Sequence, residues 1–464
     1  MIKYDQSGGI FMSDIIAAVS TGRVVSAIGI VRLSGPGCIP LAFSVFTARG
    51  SVTAETAEDR KLYLGSLYDA RGRVIDEAMV TVSHGPHSYT GEDTAEFHCH
   101  GSPAVLAAAL DSLFAKGARQ AGPGEFTKRA FLHGQMDLSQ AEAVIDLIEA
   151  ETAEAAANAA GQLGGAMGQR ITPIYDKLTD ILAHFHAVLD YPDEDIDPFV
   201  LSDLRGVLAG ALRDLGAILS TYGRGRVLRR GIRAVILGKP NAGKSSLLNA
   251  LAGYDRVIVT DVAGTTRDTV EETVQVGRHL LRLLDTAGIR DTADEIERQG
   301  VLRAEAAAAR ADLAIYVCDG SAPLTEEDLR AQEAALEAPA AVALLNKDDL
   351  TQVVSPSDLP FEWILPVSAK TGAGLDQLED VLDELFGDET PCDGSILTNA
   401  RQAGAVQRAA QALERTLEGL DAAMTPDAVL TDVEEALEAL GEITGRTMRE
   451  EVVNRIFSRF CVGK

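Results

Sequence analysis

The apolar run Ile232-Arg233-Ala234-Val235-Ile236-Leu237 passes directly into Gly238-Lys239-Pro240-Asn241-Ala242-Gly243-Lys244-Ser245, and no other stretch of this chain restricts its fold so tightly. The run reads as a buried strand, the second stretch fits GxxxxGKS, and Leu247, Leu248 and Leu251 mark a helix behind it. Glycines let such a loop curl, so that backbone N–H groups from Asn241 through Ala242, Gly243, Lys244, Ser245 and Ser246 face phosphates at a helix N-terminus. Lys244 is then expected to reach the β- and γ-phosphates, and the Ser245 hydroxyl to ligand Mg²⁺. Strands alternate with helices over residues 229–386, which predicts a Ras-like P-loop domain there.

Further elements follow in order. Leu280 to Leu284 ends in Asp285-Thr286-Ala287-Gly288, where Asp285 is expected to hold Mg²⁺ through water and the Gly288 N–H to sense the γ-phosphate. Upstream, Gly264-Thr265-Thr266 supplies Thr266 to complete the metal shell. The strand Ala341 to Leu345 delivers Asn346-Lys347-Asp348-Asp349. The Asp349 carboxylate can accept N–H bonds from both the ring and the exocyclic amine of guanine. Adenine lacks that donor pair, and an unpaired carboxylate is costly, so the nucleotide is expected to be GTP rather than ATP. Ser368-Ala369-Lys370, after another strand, fits the loop that backs the base. Ile289 stands where Ras-type proteins place a water-orienting glutamine, so another residue must orient the water.

The remaining length needs its own account, since 464 residues suggest two to four domains. Residues 14–125 mix β-branched runs, such as Ile28 to Val31 and Ala78 to Val82, with Gly/Pro turns, an α+β pattern. From Leu138 the texture becomes alanine-rich helix. Ser139 with Glu142 has the spacing of a capping box, and Val144, Ile145 and Ile148 fall on one helical face. This pattern runs to about Tyr222, interrupted at Tyr191-Pro192-Asp193. It returns after Pro391 to Gly394, with Thr431 and Glu434 as a second box. The economical reading is a helical domain interrupted by an inserted GTPase domain: 12–128, 129–228, 229–386 and 387–464. The multidomain class is thus α+β, α and α/β. Met12 opens a more convincing start than Met1, and the first eleven residues are expected to be disordered.

Charge and cysteines restrict partners and compartment. The net charge of −27 repels nucleic acid at long range, so any RNA contact must come from a local basic patch. That disfavours an RNA-binding ribosome-assembly switch. Five scattered cysteines without CxxC pairing argue against a disulfide framework or a zinc knuckle and predict a cytoplasmic protein. No apolar run approaches the ~18 residues of a membrane span, no signal-peptide pattern opens the chain, and no lipidation signal suggests a membrane-associated switch. In His98-Cys99-His100, strand alternation puts the thiol opposite both imidazoles, which disfavours a metal site. His184 and His186 do not share a helix face, and the acidic run Asp190 to Asp197 reads as a solvated corner. Arg224, Arg226, Arg229, Arg230 and Arg233 fit either a solvated linker or a surface for tRNA or a partner. Arg446, Arg449, Arg455 and Arg459 pose the same alternative.

Four more segments are distinctive: Pro86-His87-Ser88-Tyr89-Thr90-Gly91-Glu92-Asp93, Pro123-Gly124-Glu125-Phe126-Thr127, Asp137-Leu138-Ser139-Gln140-Ala141-Glu142-Ala143, and Phe460-Cys461-Val462-Gly463-Lys464. With the nucleotide motifs, they resemble the MnmE (TrmE) family of tRNA modification GTPases from Met12 to Lys464. The resemblance implies a tetrahydrofolate-binding, dimerising N-terminal domain and a homodimer. It also implies an FAD-containing MnmG partner in a heterotetramer that adds an aminomethyl or carboxymethylaminomethyl group to carbon-5 of the tRNA wobble uridine. A 5-formyl- or 5,10-methylene-tetrahydrofolate would carry the one-carbon unit, and K⁺ would bridge the phosphates as the GTPase domains pair.

Residue by residue, Asn241 resembles the family's K⁺-ligating asparagine. Thr260, Val262 and Thr265, within Thr260-Asp261-Val262-Ala263-Gly264-Thr265-Thr266, match its K⁺ loop. Glu297 matches the acid that orients the attacking water through a second water, which would answer the Ile289 problem. Arg32, Glu96 and Lys464 match the folate contacts, and Cys461 the cysteine placed beside the folate, either a nucleophile toward the uridine or without a chemical role. Gln135 stands where the family often has a folate-contacting lysine. It can hydrogen-bond a carboxylate or pterin but cannot pair a charge.

Overall fold

Strand Leu313–Asp319 is buried along its whole length, as a parallel strand covered on both faces must be. In the computed structural model it lies within a six-stranded sheet. The order is Glu272–Val276, His279–Leu283, Ile232–Leu237, Leu313–Asp319, Ala341–Asn346 and Trp363–Pro366. Only the edge strand Glu272–Val276 is antiparallel to its neighbour. Ile232, Ala234 and Ile236 point into one core with Leu248, Leu281 and Val317, while Val235 and Leu237 point into another with Tyr316 and Leu345. Parallel strands bring their carboxyl ends to one edge, which is where such sheets bind ligands. Leu237, Asp319, Asn346 and Pro366 therefore open loops on that edge.

The structure describes residues 3–4, 10–11, 14–22, 24–190, 201–254, 272–284, 308–387, 391–422, 424 and 426–463. The chain groups into two compact units. One comprises Met1–Ile145, Gln162–Ala209 and Gln411–Lys464, and the other Asp146–Gly161 and Gly210–Ala410. The helical stretches are divided between them. In the first unit, helices Ala166–Asp190 and Pro426–Thr444 pack along each other.

The first unit also holds a seven-stranded sheet, ordered Phe46–Ala48, Tyr63–Tyr68, Val74–Ser83, Thr94–Gly101, Ser26–Ser34, Ile16–Val19, Arg119–Gln120. Alternation sets its faces. Val31, Leu33, Val80, Val82 and Phe97 are buried, packing with Leu106 and Leu113 of helix Pro103–Ala115. The opposite face carries Arg32, Glu96 and His98, together with Ile28, Leu64 and Met79, which are 57%, 41% and 37% exposed. Leu64, Met79, His98 and Ile30 are successive cross-strand neighbours and form one row across that face.

Local signals moved at several points. The chain start, expected to be disordered, pairs Lys3–Tyr4 with Ile10–Phe11 in a short antiparallel ladder. Helix Leu138–Ile148 is capped two residues earlier than expected. Asp137 Oδ1 accepts from the Gln140 N–H, and Gln140 Oε1 accepts from the Asp137 N–H. Ser139, already inside the helix, donates to the same Asp137 oxygen. Val144 and Ile145 pack near Leu138 and Phe457, but Ile148 is exposed. Thr431 lies inside helix Pro426–Thr444 rather than at its start.

A charge cluster ties residue 14 to the helix Glu125–Leu132. The fully buried Arg129 meets Asp14 at 2.8 Å, Glu92 at 3.0 Å and Glu125 at 3.1 Å, and Arg119 bonds both Asp14 and Glu125. Removing one partner of a buried pair strands the others, so Arg129→Met should lower stability by about 3–5 kcal/mol in denaturant titrations. Burial pushes the Asp14 and Glu125 carboxyls up, but hydrogen bonds led by Arg119 outweigh it and hold both low. A depressed folded value means the stabilisation is complete above the ordinary carboxylate pKa of about 4 and fades as pH falls through the lower folded value. The melting temperature should drop below about pH 4. In Arg129→Met that acid-dependent drop should be smaller.

Candidate functional site

Helix Lys244–Tyr254 starts inside the glycine-rich loop, so its first N–H groups point at whatever the loop encloses. Asn241 and Gly243 hold φ of 61° and 105°, the left-handed region that curls the loop. The Lys244 amine donates to the carbonyls of Gly238 at 2.6 Å and Lys239 at 2.8 Å, which stretches it across the loop mouth. Burial lowers its pKa, against the opposing charge of Glu327. A bound phosphate would bring negative charge beside the amine and oppose that lowering. Asn241, Ser245 and Ser246 are exposed on the loop, whereas Ala242 is buried.

A second loop is braced against the first. The buried Asn346 side chain donates to the Ala242 carbonyl at 2.8 Å and accepts from the Ala369 N–H at 2.9 Å. One amide thus joins the phosphate loop, the strand end and the Ser368–Lys370 segment. Lys347, at φ 67°, reaches Asp319 Oδ2 at 2.6 Å. Burial alone would raise the Asp319 carboxyl, but Lys347 and Ser321 hold it low. Ser368 donates to Asp349 Oδ1 at 2.8 Å and so aims an otherwise exposed carboxylate. Lys370 is exposed beside it. The geometry provides an anion cradle and, at the adjacent strand end, a fixed pair of carboxylate acceptors. Thr260, Asp261, Val262, Ala263, Gly264, Thr265, Thr266, Asp285, Thr286, Ala287, Gly288, Glu297 and Lys464 lie outside the described residues.

The first unit gathers a separate cluster. Arg32 pairs with Glu96 at 2.6 Å, and its guanidinium carbon stands 5.2 Å from the Tyr89 ring centre and 5.8 Å from that of Phe126. The Tyr89 hydroxyl meets Thr127 Oγ1 at 2.9 Å. Gln135 is exposed and lies against Gly91, two residues beyond Tyr89, and His133 Nδ1 meets the Thr90 carbonyl at 2.8 Å. The C-terminal segment comes to the same place. Gly124 N–H donates to the Cys461 carbonyl at 3.2 Å, Pro123 pairs with Val462, and Val462 packs on Phe126. Cys461 itself is exposed. Tyr89 and Phe126 were not singled out by the sequence reading, although both sit within its distinctive segments. Aromatic residues flanking an arginine can be recognised only once the strands are paired.

Several alternatives narrow. Arg226 and Arg233 both bond Asp312, and Arg229 meets Asp146 at 2.6 Å, so these junction arginines have carboxylate partners within their own unit. Arg446 stacks over Tyr175 at 4.8 Å, whereas Arg449, Arg455 and Arg459 are exposed. Cys99 faces the core and His98 and His100 the other side, and among the described residues no His/Cys/Asp/Glu cluster could hold a metal. Among those residues, too, no helix is long and apolar enough to cross a membrane.

Comparison with known proteins covers both units. The family described as "GTP-binding protein TrmE N-terminus" matches residues 15–135, and "MnmE helical domain" matches 138–461. The protein named tRNA modification GTPase MnmE from Roseiflexus sp. (strain RS-1) is 41% identical, over 97% of this chain and 99% of its own. The counterparts of the same name from Syntrophotalea carbinolica and Akkermansia muciniphila are 42% and 43% identical. Each covers 97% of this chain, and 99% and 98% of their own lengths respectively.

Proposed function

The chain belongs to the MnmE family of tRNA modification GTPases, and from that premise we propose that it hydrolyses GTP within a complex modifying carbon-5 of the tRNA wobble uridine. One observation carries this reading: relatives bearing that name align over 97% of the chain, so nucleotide loop and N-terminal cluster are inherited together. The group added is aminomethyl or carboxymethylaminomethyl, and the complex includes a flavin-bearing partner of the MnmG kind in the cytoplasm.

The chain's own residues divide the work. N–H groups from Asn241 to Ser246 and the Lys244 amine bind the phosphates, and Asp349, aimed by Ser368, reads guanine. Ser245 and Thr266 would ligand Mg²⁺, with Asp285 acting through water. Asn241, Thr260, Val262 and Thr265 would hold K⁺, and the exposure of Asn241 and Ser245 on the curled loop suits both ions. Bound K⁺ supplies positive charge against the phosphates, as an arginine finger does elsewhere. Glu297 would orient the attacking water. At the N-terminal cluster the donor set fits a folate: the paired Arg32 and Glu96 offer a donor and an acceptor side by side to the polar edge of a pterin, with Tyr89 and Phe126 as aromatic walls. A folate supplies the one-carbon unit. Gln135, Cys461 and Lys464 would complete that site. The exposed Ile28, Leu64 and Met79, with the half-buried Ile30 in the same row as the last two, support pairing of two copies through this sheet.

Two measurements test the proposal. GTP turnover should be at least about tenfold faster in K⁺ than in Na⁺, and equal rates would remove the ion roles of Asn241 and the Thr260–Thr266 loop. Mass spectrometry of tRNA from cells lacking the gene should show wobble uridine without its carbon-5 substituent. Intact modification would refute the tRNA role while leaving the GTPase reading standing.

A further inference from the structure

Lys239 is the second residue of the phosphate loop, and neither its side chain nor its carbonyl is idle. Its amine reaches Asp328 Oδ2 at 2.8 Å, with the two side chains 12% and 0% exposed. The same carboxylate oxygen accepts from the Thr325 N–H and hydroxyl, each at 2.8 Å. These bonds make Asp328 the inner half of the capping box that starts helix Glu326–Ala335. Behind it, the Tyr316 hydroxyl accepts from Gln332 at 3.2 Å, and the Tyr316 ring stacks on Phe361. Asp328 is thus anchored on its own helix before it meets the loop. On the loop side, the Lys239 carbonyl accepts from the Lys244 amine and from the Ala242 N–H at 3.3 Å.

From this chain of bonds we propose that Asp328 is a positioning residue for GTP binding and hydrolysis. Through Lys239 it fixes the peptide whose carbonyl aims Lys244, though it touches no nucleotide itself. Burying a carboxylate and an ammonium is rarely worthwhile for stability alone, since an apolar pair often does as well. The pair earns its place by geometry: helix Glu326–Ala335 becomes a rigid backing for the first half of the loop, at Lys239, as Asn346 braces its second half at Ala242. The inference rests on the nucleotide site and not on the tRNA assignment.

The test is displacement of a fluorescent GDP analogue from the full-length chain by guanosine, GDP and GTP. Asp328→Asn and Lys239→Met should each weaken GDP and GTP about tenfold or more, the scale of a lost buried charge contact. Guanosine, read at the Asp349 end, should displace as from the wild type. Lys239→Arg should restore GDP binding, because it keeps the charge on the loop. The double variant Lys239→Met/Asp328→Leu leaves no orphaned charge, so it keeps the test open if a single variant fails to fold. It should still bind GDP weakly. Wild-type GDP affinity in the double variant, equal losses for guanosine and GDP, or failure of Lys239→Arg to restore binding would each overturn the proposal.

Discussion

Asp349→Asn is expected to convert a guanine site into a xanthine site. In the native protein Ser368 donates to Asp349 Oδ1, which leaves the second carboxylate oxygen directed by that contact. Asparagine can keep its Oδ1 on Ser368, placing an amide donor where the second oxygen stood. Guanine then meets a donor with donors, whereas xanthine presents a carbonyl at the same edge. A site built to pair a hydrogen-bonding group discriminates strongly against an analogue that leaves it unpaired. GTP affinity should fall at least about a hundredfold, and xanthosine triphosphate should become the tighter ligand. Competition titrations with both nucleotides read the exchange directly. Unchanged preference for GTP would mean that the base is read elsewhere.

Gly243→Ala should be nearly as severe, for a steric reason. Gly243 holds φ 105°, and a Cβ there would overlap Asn346 Nδ2, the atom that donates to Ala242. Local strain costs about 1–3 kcal/mol, and loss of the Asn346 bridge a further 1–3 kcal/mol or so. The two together correspond to GDP weakening from roughly thirtyfold upward. Because one amide braces both loops, phosphate contacts and base contacts should loosen together. Calorimetric titration of GDP checks this, and wild-type affinity would show the bridge to be dispensable.

The parts legible in the sequence were those that short segments encode. Strand Ile232–Leu237 has the bounds read from its residues, and Asn346 and Ser368 fall at or just after strand ends as their patterns require. What escaped was relational. The cap of helix Leu138–Ile148 passed from Ser139 to Asp137, which stands two residues earlier, and spacing alone does not rank the two. Asp328 reads as an ordinary capping residue after Thr325, and only the packing of its helix against the phosphate loop reveals Lys239 as its partner. Arg32 was selected by resemblance, but the two rings beside it come from a loop and from helix Glu125–Leu132, about 37 residues apart, and one-dimensional periodicity carries no information about such a meeting.

The C-terminal segment beside Phe126 has a consequence for biogenesis. Ser20 donates to the Gly463 carbonyl across 443 positions, and a side chain at Gly463 would overlap the Val19 carbonyl. Closing so long a loop adds little entropy beyond that of one half its length, so thermodynamics tolerates the arrangement. Timing is the harder constraint. A nascent chain can fold its nucleotide sheet on the ribosome while the cluster around Arg32 still lacks Cys461 and Val462. Nucleotide binding should therefore mature before that cluster does, and the two competences should appear in sequence during synthesis.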